Sequence, residues 1–167
     1  MAGLLERMIR AAKLDVALYE EVEADVSATG QAMVVVILSS VAAGLGSVGV
    51  PGRPGLIMGT IGALIGWFLW ALVTYFIGTR LLPTEKTEAD LGQLLRTIGF
   101  SSAPGVLRIL GLIPGLYGLI FFVANLWMLV AMIIAVRQAL DYDSTFRAAI
   151  VCLIGWFIFV VLSWLII

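Results

Sequence analysis

Charge is missing from four long stretches of this 167-residue chain, and no other feature limits its fold so strongly. Runs of 27, 26, 28 and 20 residues without Asp, Glu, Lys or Arg lie between Asp25 and Arg53, between Arg53 and Arg80, between Arg108 and Arg137, and after Arg147. Together they make up well over half of the sequence. A water-soluble domain of about 150 residues buries only about 70% of the surface its unfolded chain exposes. Much of this apolar surface would therefore stay in water. A bilayer removes the difficulty, because ~20 apolar helical residues cross a hydrocarbon core of about 30 Å. Composition agrees: the chain is 62% hydrophobic and 13% charged, where soluble domains run at roughly 45–50% and 25%. The sequence reads as an all-α, polytopic membrane protein.

The runs resolve into spans at their breakers. The first span is expected over 31–49, a Pro- and Gly-dense turn over 47–55, and the second span over 56–78. The 28-residue run holds Ile-Pro-Gly-Leu-Tyr-Gly at 113–118. Proline removes a backbone donor and clashes with the preceding turn, and its glycine neighbours favour a reversal. Breaking there gives a span that starts near 101–104, with Arg108 about one turn inside and able to snorkel to the headgroups. A further span follows over 116–136, and the last over 148–167. Loop charge decides the count. With an inner N-terminus, five transmembrane helices keep Arg7, Arg10, Lys13, Arg80, Lys86, Arg96, Arg137 and Arg147 inside and leave only Arg53 outside. Four would move Arg137 and Arg147 out, so the positive-inside bias selects five, with the C-terminus outside.

Two amphipathic segments are expected on the cytosolic face. Residues 1–30 form the first, with one helix over 3–26 whose apolar seam runs through Leu5, Met8, Ala12, Tyr19, Val22 and Val26 and is interrupted by Asp15. Its basic start, Arg7, Arg10 and Lys13, suits an anionic inner leaflet. Its acidic second half would face water, a basic loop or a partner. About 30 polar and mixed residues precede the first run, unlike a cleaved signal peptide. Within the five-helix domain, 31–167, an interfacial helix is expected near 87–98. Thr87 is its N-cap, and Leu91, Leu94, Leu95 and Ile98 form its apolar face.

Several function classes are disfavoured. A net charge of −1 with no basic tract gives nucleic acid no electrostatic footprint. There is no histidine, and the single cysteine, Cys152, lies in an apolar run, so no catalytic, cofactor or metal site is expected. Carboxylates at 20/23 and 21/25 share helix faces but lack the loop carbonyls of a calcium cage. Tyr19, Glu20, Glu23 and Asp25 are instead read as a partner-docking face. Arg80, Arg96, Arg108, Arg137 and Arg147 are expected to cluster where acidic lipid headgroups, Glu20, Glu23 or Asp25 could meet them. Trp67, Trp127 and Trp156 fall near span centres, and Asn125 is the only Asn in the chain. An indole N–H in hydrocarbon needs an acceptor, so these four form a candidate intramembrane cluster. Small residues recur at spacings of three or four through Gly55, Gly59, Gly62 and Gly66, at Ser40 and Gly44, and at Gly111, Gly115 and Gly118. Such ridges serve bundle packing or a homo-oligomer or partner interface. No Asp, Glu or Lys lies deep in a span, against ion-coupled transport.

The whole-chain pattern resembles the bacterial branch of the Yip1 family. The resemblance is carried by Tyr-Glu-Glu-Val-Glu-Ala-Asp at 19–25 leading through Gly-Gln-Ala at 30–32, by Tyr-Phe-Ile-Gly-Thr at 75–79, and by Leu-Leu-Arg-Thr-Ile-Gly-Phe-Ser-Ser-Ala-Pro at 94–104. Trp127 and Ala-Val-Arg-Gln-Ala-Leu at 135–140 complete it. It implies a five-span, non-enzymatic integral membrane protein with a cytosolic N-terminus, here in a bacterial cytoplasmic membrane. Eukaryotic members are associated with Rab GTPases and vesicle traffic. The Asp-Leu-x-Gly-Pro motif of many of them has no counterpart at 14–19, so GTPase binding is not carried over. The expected role is a membrane organiser or partner-binding scaffold in contact with lipids and a membrane-protein partner or a second copy. A small-solute permease or lipid-translocating protein, and an accessory subunit of a larger membrane complex, are the alternatives.

Overall fold

A computed structural model describes residues 3–53 and 55–166, with side chains through Val161. Among the described residues seven α-helices run in chain order: α1 (Leu4–Ala12), α2 (Val16–Ala24), α3 (Ala28–Gly46), α4 (Leu56–Phe76), α5 (Leu91–Phe100), α6 (Tyr117–Ala139) and α7 (Thr145–Ile166). A π-turn, Ile77–Leu81, extends α4, and a 3-10 helix, Ala103–Leu112, follows α5. No strand occurs among the described residues. Among the described residues three helical segments are long and apolar enough to cross a bilayer: Ala28–Gly46, Leu56–Leu81 and Tyr117–Ala139. The described apolar part of α7, Thr145–Val161, is shorter. Large side chains such as Ile57, Met58, Phe122, Leu153 and Trp156 stand exposed along these helices, as lipid contact requires.

Two expectations about the polar segments are corrected. The N-terminal segment is two helices, not one. Leu14 takes a left-handed conformation, φ 62°, and Asp15 caps α2 by accepting from the Ala17 amide at 3.0 Å. The break lets α2 fold back so that its carboxylates meet the arginines of α1. The second segment begins at Leu91, after Asp90. Asp90 accepts from the Gln93 amide (2.8 Å), while the Gln93 carboxamide accepts from the Asp90 amide (2.6 Å). This capping box satisfies two helix-end donors at once. Thr87 is not the cap: its hydroxyl accepts from the Thr84 amide and donates to the Leu140 carbonyl. The helix α5 is also largely packed into the bundle. Leu94, Arg96, Thr97, Ile98, Gly99 and Phe100 are buried, and it packs against α2, α3, α4 and α6.

The break at Pro114 is present, with Gly115 at φ 82° and α6 starting at Tyr117. The segment before it is a 3-10 helix of ten residues, about 20 Å long at the 3-10 rise. With α5 it follows α3 along nearly its whole length. A methyl on Gly99 would sit 2.7 Å from the Ala32 Cβ; one on Gly105 would overlap the Ser39 hydroxyl; one on Gly46 would overlap the Arg108 carbonyl. Missing side chains thus let the backbones touch, the usual device where lipid supplies no drive for association. Ala32 to Gly46 is about 21 Å of α-helix, so this contact line covers most of a bilayer core.

Contacts also sort the connections into two ends. At one, the Arg53 guanidinium sits 5.7 Å over the Tyr117 ring, joining the α3–α4 loop to the Pro114 turn. At the other, Tyr142 donates to the Leu82 carbonyl (2.7 Å) and Lys86 pairs with Asp143 (3.1 Å). This second end carries α1 and α2 and both buried apolar clusters. One cluster centres on Leu18, Tyr19, Val22, Phe100 and Ala135, the other on Ile77, Leu94, Leu140, Val151 and Cys152. The far half is more open, and its cavities define the second part of the site.

Candidate functional site

At the α1–α2 end, charge holds a helical cap on the bundle. Arg7 is almost fully buried; it donates through Nε to Glu21 (3.0 Å), through Nη2 to Asp25 (2.8 Å) and through Nη1 to Gln31 on α3 (3.0 Å). Arg10 donates to Asp15 (2.7 Å) and Glu21 (2.6 Å). These guanidiniums hold the Asp15 and Glu21 carboxyls below the usual carboxylate range. Asp25 is lowered too, first by its hydrogen bond from Ser27 and then by Arg7. Arg7 and Arg10 of the basic start are therefore paired with the chain's own acidic half, rather than left free for an anionic leaflet, while Lys13 stands exposed.

Arg96 completes the cap. Its Nε donates to the Val22 and Glu23 carbonyls at 3.0 and 3.1 Å, and its Nη2 also donates to Glu23. A cation thereby meets the last carbonyls of α2, where unpaired acceptors and the negative end of the helix dipole coincide. Glu23 is half-buried beside Gln93, whose carboxamide donates to it at 3.1 Å. Burial first, and then the nearby Asp141, push its carboxyl up to about 7. Glu20 accepts from Gln138 at 2.9 Å. Tyr19 is fully buried, donates to the Ala11 carbonyl, and has its phenol pushed up by that burial. Of Tyr19, Glu20, Glu23 and Asp25, then, the ring faces inward and the three carboxylates already have partners within the chain.

The five arginines do not form one cluster. Arg80 stands exposed with no hydrogen bond or ion pair among the described residues. Arg137 donates to the Tyr142 carbonyl (3.1 Å) and Arg147 to the Pro83 carbonyl (3.3 Å), at the same end as Arg80. Arg96 is buried under α2. Arg108 lies toward the opposite end, where its carbonyl abuts Gly46. Its side chain does not reach out toward headgroups but turns into the bundle. Nε donates to Gly105 (3.0 Å), and Nη2 to the Ser39 hydroxyl (2.7 Å) and carbonyl (3.1 Å). Helix polarity explains the difference: α5 and the 3-10 helix run alongside α3 in the same direction, so Arg108 arrives far from the end where α5 began.

Two cavities of about 330 Å³ each adjoin at Ser40, Ala63 and Arg108. One is mainly apolar, with Trp67, Trp70, Met128, Met132 and Phe159 in its wall. The other is more polar and is lined by Ser47, Arg53 and Asn125. The four proposed cluster residues are not brought together. Trp67 donates to the Leu95 carbonyl (3.0 Å) and locks α4 to α5; Trp127 donates to the Ala12 carbonyl (2.8 Å); Trp156 points outward; Asn125 lines the polar cavity. Sequence reasoning missed Ser39, Ser40 and Arg53 here, and Gln31, Gln93 and Gln138 in the cap. One signal was available: all eleven Asp and Glu residues fall within 6–25, 85–90 and 141–143, leaving Arg53 and Arg108 in acid-free stretches.

No curated protein and no solved structure matches the chain. The family model for the Yip1 domain matches residues 17–166, from the start of α2 to the last described residue of α7. With that match spanning nearly the whole helical assembly, the chain belongs to the Yip1 family of integral membrane proteins.

Proposed function

We propose that this Yip1-family protein is a non-enzymatic membrane organiser with five spans, its N-terminus in the cytoplasm and its C-terminus outside a bacterial cytoplasmic membrane. The α1–α2 cap is its docking platform for a membrane-protein partner. The observation that carries this reading is the cap itself. Buried Arg7 and Arg96 pin two short helices in one fixed pose, which is costly to maintain for a segment with no recognition role. Preorganisation of that kind lowers the ordering cost of binding. Ala17 and Ala24 are exposed on the outer side of α2, where a partner would sit.

Five spans are supported by the sorting of connections to two ends and by the α5/3-10 line along α3. Orientation is supported by loop charge: Arg80, Lys86, Arg137 and Arg147 share the cap's end, whereas Arg53 is at the other. In a Cys152→Ser background, an impermeant thiol reagent on intact cells should label Val48→Cys and spare Glu85→Cys. The reverse pattern overturns the orientation. For the platform, mild-detergent purification should yield a defined heteromeric complex that is lost in Ala17→Arg/Ala24→Arg, with membrane insertion intact. A complex that survives both that variant and deletion of residues 1–26 would refute the role of the cap.

A further inference from the structure

Arg108 is a permanent charge turned into a helical bundle, and among the described residues it makes no ion pair. No Asp or Glu occurs between residues 26 and 84 or between 91 and 140. Among the described residues, the hydrogen-bond partners of the Arg108 guanidinium are neutral acceptors, the Gly105 carbonyl and the Ser39 carbonyl and hydroxyl. Its Nη1 has no partner among the described residues. Guanidinium cannot shed its proton to escape burial, and an ionisable group at membrane depth ordinarily marks a binding site or pathway. Arg53, the cation farthest in sequence from any acid, lines the same polar cavity, together with the neutral hydrogen-bonding groups of Ser40 and Asn125. Two cations, one of them held by Ser39 and Gly105, with no carboxylate in the lining describe a receptor for an anion.

The anion's chemistry follows from the adjoining cavity. It is lined by Arg108 together with Trp67, Trp70, Met128 and Met132. The two cavities, about 330 Å³ each, together fall in the range of about 300–1,000 Å³ typical of small-ligand sites. A charged mouth continuous with an apolar chamber fits an amphiphile better than a free ion. We propose that Arg53 and Arg108 hold the phosphate of an anionic membrane lipid whose acyl chain enters the Trp67–Trp70 cavity. The proposal does not rest on the docking role of the α1–α2 platform.

The test uses the full chain in nanodiscs of phosphatidylcholine, with and without phosphatidylglycerol, read by native mass spectrometry for retained lipid and by thermal unfolding. Wild type should retain phosphatidylglycerol and unfold at a higher temperature when it is present. Arg108→Gln should weaken retention by at least about tenfold, since removing one partner of a desolvated charge pair is severe. Arg53→Gln, in an exposed loop outside the packed core, should weaken it by a smaller factor and covers the case in which Arg108→Gln does not fold. Arg80→Gln, an exposed arginine at the other end, should change nothing. Retention unchanged in Arg53→Gln and Arg108→Gln overturns the proposal. Equal stabilisation by inorganic phosphate in phosphatidylcholine alone also overturns it, by making the ligand a free anion.

Discussion

Replacing Arg96 with methionine isolates what the α2 C-terminal clamp contributes. The stem of Arg96 is retained in volume, so little cavity forms, and the loss is confined to the guanidinium. That group makes three donations to the Val22 and Glu23 carbonyls and is 4% exposed, so solvent screens it little. Hydrogen bonds involving a charged group are worth roughly 1.5–3 kcal/mol net. A cation at a helix C-terminus adds about 0.3–1 kcal/mol, partly the same interaction. We expect α2 to open more easily by about 2–3 kcal/mol, hence about 30- to 150-fold faster amide exchange at residues 18–24. Hydrogen–deuterium exchange in detergent micelles reads this directly. Cys152, which belongs to the other apolar cluster, should stay unreactive to thiol reagents, showing that the bundle itself holds. Unchanged protection of α2 would refute the clamp, and exchange that rises equally in α6 would refute its local character.

Three further outcomes follow from the same geometry. Glu23, with its carboxyl raised to about 7, binds more protons folded than unfolded, so cap stability should fall as pH rises from about 4.5 to 7 and then level off. Asp15, Glu21 and Asp25 are lowered and titrate below that window; proteolysis of the cap should therefore quicken between pH 5 and 8, and Glu23→Gln should abolish the trend. Gly46→Ala puts a methyl into the Arg108 carbonyl whereas Gly62→Ala meets nothing within 4 Å. The first should cost about 1–3 kcal/mol by overpacking and the second far less, read as the temperature at which Cys152 becomes reactive. Trp67→Phe loses its bond to Leu95, about 1 kcal/mol, while lipid-facing Trp156→Phe should leave the unfolding midpoint in place.

Local rules found the helices wherever the signal was local. Proline and glycine placed the reversal before Tyr117, and the Pro- and Gly-dense stretch placed the α3–α4 connection. They failed where a polar side chain had several acceptors to choose from. Thr87 has the right spacing for a cap, yet the Leu140 carbonyl, 53 residues away, takes its hydroxyl. Asp15 does interrupt the amphipathic seam, but whether it kinks one helix or starts another depends on α2 finding Arg7 and Arg10.

The charge-free runs by themselves determined that the chain belongs in a bilayer, because no soluble core of this size could hide them. The sequence also gathers its acids at 6–25, 85–90 and 141–143, which leaves Arg53 and Arg108 the cations farthest along the chain from any acid. Only the tertiary structure decided which cation meets which partner. Side chains five to ten ångströms long are placed by the packing of helices far apart in sequence, and the glycines that bring α3 against the 3-10 helix send Arg108 inward. Arg96 reaches a helix end rather than a lipid headgroup for the same reason. Neither outcome is encoded within a turn or two of the residue concerned.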